Sequence, residues 1–259
     1  MGMPQPWPLE ALWEQMLPLC PGLTLECWPE IDSSNSELMR RARAGQHDPV
    51  LLVAERQSAG RGRVGRQWWG QPGDTLMFSL GLPLAPADWS GLSLALGLAL
   101  AEALHPQLQL KWPNDLWWQQ RKLGGLLIEV ARQGAHSQLV VGVGLNVQAP
   151  PAEGLRTAPA ALREFWPEAS APLALARVAL PLLQAVLAFE REGLAPLLTR
   201  YAQRDALQGR PIVTSDGRSG VALGIDPRGA LRWRPDADPA QEQLLHSEEV
   251  SVRPQDPSP

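Results

Sequence analysis

The sequence predicts an α+β fold, in which a central mixed β-sheet with flanking helices is followed by a small C-terminal β-barrel. The first observation is the order of the elements, since helical and strand-like segments are intermixed without an internal repeat. The second is a change of pattern after residue 207, where short strand candidates alternate with turns such as Asp216-Gly217. The third is size, because 259 residues with an apolar fraction of 44% can bury one large core and a small appendage.

Four segments are expected along the chain. The segment before residue 31 is rich in Pro and Trp, and it is too short for a helix-turn-helix module with its own core. The last residues contain three prolines and no apolar anchor, which predicts disorder. The segments are an N-terminal extension (1–30), a central catalytic domain (31–207), a C-terminal β domain (208–253) and a disordered tail (254–259).

The predicted helices begin at capping residues and end at glycines. The run from Asp32 to Asn35 offers N-caps for one helix, and Gly193 ends a later one. Pro181 lies inside that later helix and should kink or split it. The predicted helices are Leu9–Leu17, Ser36–Ala44, Asp88–His105, Leu173–Arg191 and Ala195–Ala206.

The predicted strands are short apolar runs bounded by turn signals. Pro113-Asn114-Asp115 is one such signal, and Gln119 to Lys122 is predicted to form a hairpin turn. The first two strands enclose a long loop, 56–73, whose length is typical of a functional or mobile segment. The central strands are Val50–Ala54, Thr75–Leu80, Leu108–Trp112, Leu116–Gln119, Leu126–Ala131 and Gln138–Val147. The C-terminal strands are Ile212–Thr214, Val221–Ile225, Ala230–Trp233 and Glu242–His246.

Composition argues against several classes of protein. A net charge of −4 does not suit a general nucleic-acid-binding protein. Cys20 and Cys27 offer no disulfide framework, which favours a reducing, cytoplasmic location. The N-terminus lacks the pattern of a signal peptide, and the longest apolar stretch, Leu92 to Leu104, is too short to cross a bilayer. We therefore expect a soluble cytoplasmic protein with no membrane partner.

Lysine and asparagine are rare in this sequence. Lys111 and Lys122 are the only lysines among 23 basic residues, and Asn35, Asn114 and Asn146 are the only asparagines. A codon bias explains the scarcity, and chance is one explanation of where the five residues fall. The other is that arginine or aspartate cannot replace them, since lysine is a compact point charge and asparagine both donates and accepts.

A glycine- and arginine-rich segment runs from Gln57 to Trp69. Glycine lets the backbone approach a ligand, and arginine recognises carboxylate or phosphate with two parallel hydrogen bonds. The segment therefore predicts an anion site that Trp68 and Trp69 would cover. The alternatives are an RNA-binding arginine–glycine tract or a solvated loop, and the position of the segment between two strands disfavours the former.

Three further segments are candidates for binding a ligand. Lys111-Trp112-Pro113-Asn114-Asp115 and Lys122-Leu123-Gly124-Gly125 would bring two lysines to one sheet edge beside a flat glycine surface. Surface lysines and ordinary turn chemistry are the alternatives here. Gly142 to Asn146 suggests close backbone approach, with a β-bulge as the alternative. Asp32 to Asn35 needs no function beyond helix capping, although its hydroxyls suit a polar ligand.

Other catalytic patterns do not emerge from the sequence. The four histidines are scattered, so no Ser-His-Asp arrangement or His/Cys metal cluster is expected. A Walker-type phosphate loop is absent from the sequence as well.

Together these segments resemble biotin–protein ligases. The resemblance is strong from residue 31 to 147 and weaker beyond, and its most specific part is the run Gly-Arg-Gly-Arg-x-Gly-Arg-x-Trp, which the related lipoyl ligases lack. It implies a fold like that of class II aminoacyl-tRNA synthetases and biotin–lipoyl ligases, with an SH3-like C-terminal barrel. It also implies that biotin and ATP with Mg²⁺ form biotinyl-5′-AMP, from which biotin passes to a lysine of the biotin carboxyl carrier protein of acetyl-CoA carboxylase. A monomer or homodimer without DNA binding is expected.

The resemblance also implies residue roles. Lys122 and Arg61 would be catalytic, and the glycine-rich loop would order over the adenylate as a lid. Biotin or its adenylate would contact Ser33, Ser34, Asn35, Gln57, Gly60, Arg61, Gly62, Arg63, Lys122 and Gly124. The nucleotide would contact Arg63, Trp68, Lys111, Asn114, Asp115 and Asn146, with Arg253 as a further guess. No metal ligand is assigned.

Two positions depart from the family pattern. Ser34 stands where the family usually has threonine, which keeps the hydroxyl group. The family's adenine-covering tryptophan after the asparagine strand has no counterpart in register, since Trp166 is displaced. The rival functions are a lipoyl or octanoyl transferase of the same fold and a non-catalytic nucleic-acid-binding protein.

Overall fold

The structure, a computed structural model, describes residues 6–134, 136–155, 157–247 and 252–255. It contains a seven-stranded mixed sheet of order β1-β2-β3-β7-β6-β5-β4 and a five-stranded antiparallel sheet of order β11-β10-β9-β8-β12. The predicted α+β class is confirmed. The helices are α1 (Leu9–Met16), α2 (Ser34–Arg43), α3 (Leu92–Leu104), α4 (Ala171–Glu192) and α5 (Leu198–Ala202). The strands of the central sheet are β1 (Thr24–Ile31), β2 (Val50–Gln57), β3 (Thr75–Pro83), β4 (Gln109–Lys111), β5 (Asp115–Trp118), β6 (Arg121–Gln133) and β7 (His136–Asn146). Those of the second sheet are β8 (Pro211–Thr214), β9 (Ser219–Ile225), β10 (Leu231–Pro235), β11 (Gln243–Leu245) and β12 (Val252–Pro254).

The two faces of the central sheet have different environments. Strand β7 alternates, so that Val141, Val143 and Leu145 face the large core shared with α1, α3 and α4. The intervening residues, Gly142 and Gly144, face the opposite side. There α2 packs on a smaller apolar cluster that includes Leu38, Met39 and Val140. Beside the N-terminus of α2, this face of the sheet is therefore lined by glycine.

Helix α4 is a single helix of 22 residues, although Pro181 lies within it. The predicted split at Pro181 is wrong, because the helix continues to its C-cap at Gly193, whose φ of 64° ends it. By length and composition α4 could cross a membrane, but many of its residues are buried in the core against α3. Its apolar character follows from that packing.

Other element ends also differ from the prediction. Helix α3 begins at Leu92 instead of near Asp88, because Gly91 takes a left-handed conformation with a φ of 80°. The predicted helix from Ala195 contains a 3₁₀ turn and the short α5, and it ends at Ala202. Gln119 and Gln120 form the expected hairpin turn with positive φ, whereas Lys122 already belongs to β6.

Two strands lie where the sequence predicts none. Strand β1 falls within the predicted N-terminal extension (1–30), yet it pairs in parallel with β2 along its whole length and forms one edge of the sheet. Its side chains are mostly half-buried and do not alternate between buried and exposed, so no alternating pattern marks this strand in the sequence. Strand β12 includes Pro254, which the prediction placed in the tail, because Arg253 pairs with Val213 of β8. Residues 256–259 of that predicted tail lie outside the described residues.

The C-terminal sheet contacts the central domain through the turn between β9 and β10. The indole N–H of the buried Trp112 donates to the carbonyl oxygen of Gly229 at 3.0 Å. A Cβ at Gly229 would lie 2.8 Å from the Cα of Gly91, so the backbones are in close contact there. Trp112 directly follows Lys111, and the second sheet therefore supports a segment of the candidate site.

Candidate active site

The floor of the candidate site is a row of paired residues across four strands. Ser79 of β3 pairs with Gly142 of β7, and Gly144 of β7 pairs with Gly125 of β6. Gly125 in turn pairs with Asp115 of β5. Because glycine has no side chain, another group can lie directly on the backbone of this part of the sheet.

The N-terminus of α2 forms one wall of this floor. Ser33 caps the helix, since its hydroxyl accepts a hydrogen bond from the amide of Ser36 at 3.4 Å. The amide of Ser34 donates to the Gln57 side-chain oxygen at 2.7 Å, and its hydroxyl lies 2.7 Å from that of Ser79. Both serines are buried. The predicted residues Ser33, Ser34 and Gln57 are thus brought together around a set of neutral hydrogen-bonding groups.

Asn35 continues this network across the sheet. Its side-chain oxygen accepts from the hydroxyl of Ser79 at 2.6 Å, and its amide donates to the carboxylate of Glu129 at 3.0 Å. A Cβ at Gly142 would lie 2.3 Å from the Asn35 side-chain oxygen. Gly142 is therefore required for Asn35 to reach across the sheet.

The glycine- and arginine-rich loop closes onto the same surface. Its neck is formed by Gly60, whose carbonyl accepts from the amide of Trp68 at 2.9 Å, and a Cβ at Gly60 would lie 2.3 Å from the Trp68 carbonyl oxygen. Arg61 forms an ion pair with Glu129 at 3.1 Å, and the amide of Gly62 donates to the carbonyl of Arg66 at 2.7 Å. These contacts connect the loop to the Asn35 network.

Two residues of the loop extend beyond its neck. The guanidinium of Arg63 donates to the carbonyl of Ser247, a residue of the C-terminal domain. The indole of Trp68 lies over Gly144, where a Cβ would be only 2.5 Å from the ring, and the Lys122 ammonium is 5.5 Å from the ring centroid. The buried indole N–H of Trp68 has no hydrogen-bond partner in the described part of the chain. Trp68 therefore covers the floor of the site.

A cluster of two lysines and one aspartate lies at the far end of the floor. The Lys122 ammonium contacts one Asp115 oxygen at 2.7 Å, and that of Lys111 lies 3.8 Å from the other. Lys122 and Lys111 hold the pKa of Asp115 below its usual range, although burial opposes them. Burial lowers the pKa of Lys111, and Asp115 opposes this shift. Two basic side chains therefore lie around one carboxylate, an arrangement that suits an anionic ligand.

Gly125, rather than the predicted Gly124, opens onto this cluster. Strand β6 has a bulge, since Leu116 pairs with Gly124 while the next residue, Trp117, pairs with Lys122. A Cβ at Gly125 would lie 3.1 Å from an Asp115 oxygen, whereas one at Gly124 would lie 2.3 Å from the carbonyl of Gly144. The bulge thus places Gly125 and Lys122 on the same face, and contact of Gly124 with biotin stays a prediction.

The two remaining asparagines hold main-chain segments in place. The amide of Asn114 donates to the carbonyl of Leu126 at 2.7 Å, which fixes the turn before Asp115. The buried Asn146 donates to the carbonyls of Lys122 at 3.3 Å and Ala160 at 3.0 Å. Contact of either side chain with a nucleotide stays a prediction, but both help to position the cluster.

Trp166 and Arg253 lie away from this surface. Trp166 packs against the large core and is covered by the guanidinium of Arg177 at 5.0 Å, in agreement with its displaced register. Arg253 is exposed on β12, and its nucleotide contact stays a prediction. Within the described ranges, no group of three His, Cys, Asp or Glu side chains is arranged to hold a metal ion.

The sequence did not point to Ser79 or Glu129. Ser79 sits in an apolar strand, and Glu129 lies far in sequence from its partners Asn35 and Arg61. Each could have been identified only as a polar side chain within a predicted strand, because a buried hydroxyl or carboxylate needs a hydrogen-bond partner.

The assembled surface combines two kinds of recognition. One end offers uncharged donors and acceptors from Ser34, Asn35 and Gln57, and the other offers the ammonium groups of Lys111 and Lys122. A ligand with a polar neutral head and a carboxylate end fits this polarity, with the carboxylate beside a group of cations. Such an end could hold a second anion, such as a phosphate, close to the first.

Comparison with known proteins agrees with this geometry. Residues 29–146 match the biotin/lipoate A/B protein ligase family. The chain is 36% identical over 248 residues to the bifunctional ligase/repressor BirA of Escherichia coli, covering 89% of this chain and 75% of the relative. It is 35% identical over 239 residues to the biotin–[acetyl-CoA-carboxylase] ligase of Paracoccus denitrificans, covering 85% of this chain and 96% of the relative.

A solved structure shows the same fold. The biotin protein ligase of Aquifex aeolicus in complex with biotin and ATP superposes with a TM-score of 0.74 at 26% identity, covering 90% of this chain and 99% of that one. The similarity therefore spans both sheets as well as the candidate site. On this sequence and structural evidence, the chain belongs to the biotin/lipoate A/B protein ligase family.

Proposed function

We propose that this protein is a biotin–protein ligase, which activates biotin with ATP and transfers it to a lysine of an acceptor protein. The observation that carries the proposal is the polarity of the site. The neutral network of Ser34, Asn35 and Gln57 suits the uncharged ureido ring of biotin, and the lysine cluster suits its carboxylate and the phosphates of ATP. The names of the relatives and the biotin and ATP complex of the structural neighbour support it.

In the first step the biotin carboxylate attacks the α-phosphorus of ATP. A bond forms between a carboxylate oxygen of biotin and the α-phosphorus, and the bond from the α-phosphorus to the oxygen that bridges the α- and β-phosphates breaks. Pyrophosphate leaves, and biotinyl-5′-AMP remains in the site. Lys122 is a compact cation at the junction of the two anions, where it offsets their repulsion and the charge on the crowded phosphorus. Mg²⁺ enters with ATP as part of the substrate, where its charge screens the phosphate oxygens.

In the second step the acceptor lysine, as a free amine, attacks the acyl carbon of biotinyl-5′-AMP. The amide bond forms and AMP leaves as the acyl–oxygen bond breaks. Arg61 and Arg63 lie in the loop that covers the adenylate, and exclusion of water by this loop prevents hydrolysis before the acceptor arrives. The biotin carboxyl carrier protein of acetyl-CoA carboxylase is the proposed acceptor, and the proposed location is the cytoplasm.

Biotin transfer to a purified apo carrier domain tests this function. The protein is incubated with ATP, Mg²⁺, biotin and the carrier domain, and the mass of the carrier is measured. A mass increase that corresponds to biotin, together with biotin-dependent exchange between ATP and pyrophosphate, is expected. Transfer of lipoate or octanoate in place of biotin would support the transferase of the same fold, and no transfer at all would refute the proposal.

A further inference from the structure

A small cavity lies behind the lysine–aspartate cluster. Its volume is about 10 Å³, and the polar residues in its lining are Ser93, Lys111, Asn114, Asp115 and Tyr201 of α5. Leucine residues and a glycine of α3 and β4 contribute apolar walls. A cavity of this size holds about one water molecule if polar groups are present to bind it.

Tyr201 is the only tyrosine in the chain, and it is the residue of α5 that lines the cavity. The side chain is 1% exposed. Its hydroxyl is buried and forms no hydrogen bond to any residue that the structure describes. Asp205 acts on this group electrostatically, but its own buried carboxylate oxygen also lacks a hydrogen-bond partner among the described residues, so the two are not hydrogen-bonded to each other. Phenylalanine would fill the same space without the cost of an unsatisfied hydroxyl, so a partner for this group is expected in the cavity.

Lys111 lines the same cavity as Tyr201, and among the described residues its ammonium has one ion pair and no hydrogen bond. The charged groups around its ammonium are Asp115, Lys122, Arg63 and Arg66, of which only the first is an anion. The nearer Asp115 oxygen is 3.8 Å away, and the other oxygen contacts Lys122 at 2.7 Å. An ammonium has three N–H donors, and at 3.8 Å the contact of Lys111 with Asp115 is an ion pair without a hydrogen bond.

Tyr201 and Lys111 are held in fixed relative positions. After α5 the chain pairs in parallel with β4, where the amide of Leu110 donates to the carbonyl of Arg204 at 2.8 Å. The amide of Ala206 donates back to the carbonyl of Leu110 at 2.9 Å. Burial, with a contribution from Asp205, raises the pKa of Tyr201, so its hydroxyl keeps its proton and can donate.

We propose that Tyr201 is a positioning residue of the ligase site, which holds the Lys111 ammonium in place through one water in this cavity. The water accepts hydrogen bonds from the Lys111 N–H and the Tyr201 O–H, and it donates to the free oxygen of Asp115. It thereby solvates a buried cation that has an excess of positive neighbours. The effect on catalysis rests on the proposed function, whereas the interaction itself does not.

Direct observation of the two side chains tests the interaction without any assay of activity. The chain has only two lysines, so labelling lysine with ¹³C at Cε gives two side-chain signals, which Lys122→Arg assigns. In Tyr201→Phe the titration midpoint of Lys111 should fall by about one pH unit, because the water loses its hydrogen bond to Tyr201 and is no longer held where it solvates the charged ammonium. An unchanged midpoint in a folded variant overturns the proposal.

A measurement on the unmodified protein covers the case in which Tyr201→Phe does not fold. The single tyrosine gives one ¹³Cζ signal. This signal should show an inflection at the same pH as the Lys111 signal, because the two groups share one water. A tyrosine signal that does not respond to the titration of Lys111 contradicts the proposal.

Kinetics test the consequence for the reaction. In Tyr201→Phe the KM for ATP in biotin-dependent pyrophosphate exchange should rise about tenfold, with the KM for biotin unchanged. Trp117→Phe is the matched control, since Trp117 is also buried, has an N–H without a partner in the described ranges, and does not line the cavity. Equal effects of both variants would mean a merely structural role and overturn the proposal. If the unmodified protein lacks exchange activity, the proposed function fails while the spectroscopic result still decides the interaction.

Discussion

At the scale of single residues, the site depends on positions where a side chain is missing. Gly142 lets Asn35 lie across β7, Gly144 receives the ring of Trp68, and Gly60 lets the loop neck close. Each of these positions has an ordinary negative φ, so the glycine is needed for space and not for backbone conformation. Substitution by alanine therefore tests contacts directly.

Gly142→Ala should weaken biotin binding. The new methyl group would lie 2.3 Å from the Asn35 side-chain oxygen, so Asn35 must move and its hydrogen bonds to Ser79 and Glu129 break. We expect at least a tenfold rise in the KM for biotin and a loss of about 1–3 kcal/mol in the free energy of unfolding. Steady-state kinetics and urea denaturation measure the two effects.

Gly81→Ala is the control for this substitution. Gly81 lies on the same face of β3, two residues from Ser79, and the closest atom to a methyl group there would be the flexible tip of Leu38 at 3.1 Å. Biotin binding by Gly81→Ala should stay close to that of the unmodified protein. If both variants lose biotin affinity equally, the cause is general distortion of the sheet and the role given to Asn35 is refuted.

Lys122→Arg should lose about 100-fold in the rate of adenylate formation although it keeps the charge. The Lys122 ammonium contacts an Asp115 oxygen at 2.7 Å. The side chain also lies close to the backbone of Gly125, since a Cβ added there would be 3.7 Å from the Lys122 Cε. A planar guanidinium is larger and cannot place its charge at the same point, and small displacements at a reacting centre cost about 100-fold. Single-turnover formation of biotinyl-5′-AMP measures the effect. Arg121→Lys changes the neighbouring cation, which pairs with Glu164, and should leave the rate unchanged; a near-normal rate for Lys122→Arg would contradict the role of Lys122.

At the scale of elements, local patterns predict the interior of the sheet better than its edges. Strand β7 was predictable because it is rich in valine and bounded by a glycine turn and by Asn146. Strand β1 was not, because its assignment depends on pairing with β2, which lies after an intervening helix. Local patterns likewise do not predict which of Gly124 and Gly125 faces the site. The β-bulge that decides this depends on the register of β6 against β5.

The junction between the domains has a pH-sensitive group in Asp205. Burial raises the pKa of Asp205 to about 6, although hydrogen bonds from the amides of Leu207 and Gln208 oppose this shift. The folded state therefore binds a proton more tightly than the unfolded state, and stability falls as the pH rises from about 4 to about 6. Above pH 6 the buried charge of Asp205 lowers the free energy of unfolding by its full amount, up to about 3 kcal/mol.

Asp205→Asn should remove this dependence. The variant keeps the oxygen that accepts from Leu207 at 2.9 Å and carries no charge, so it should be more stable than the unmodified protein at pH 8 and similar at pH 4. Urea unfolding at both pH values measures the difference. Asp216→Asn is a control with the opposite sign, because Arg218 lowers the pKa of that exposed carboxylate to about 2. If the stability difference between Asp205→Asn and the unmodified protein is the same at both pH values, Asp205 is not the pH-sensitive group.

At the scale of the whole molecule, the C-terminal sheet supports the active site through one turn. Gly229 accepts the indole hydrogen bond of Trp112, and Trp112 lies between Lys111 and the Asn114 turn. The guanidinium of Arg63 extends the connection from the loop side to Ser247. The segment that carries Lys111 and the loop that carries Arg63 therefore each contact the C-terminal part of the chain.

Gly229→Ala should weaken ATP binding more than biotin binding. Its methyl group would lie 2.8 Å from the backbone of Gly91, so the turn must withdraw and the hydrogen bond from Trp112 is lost. We expect the KM for ATP to rise about tenfold, because Lys111 and Asp115 flank the segment that loses support, while the KM for biotin changes little. Gly217→Ala is the matched control: its φ of 89° resembles the 82° of Gly229, so the backbone strain is similar, but no atom lies within 4 Å of its added methyl group. Both variants should lose stability in thermal unfolding, and only Gly229→Ala should lose ATP affinity. An equal loss of affinity in both would mean that the C-terminal sheet acts through its own stability and not through the contact with Trp112.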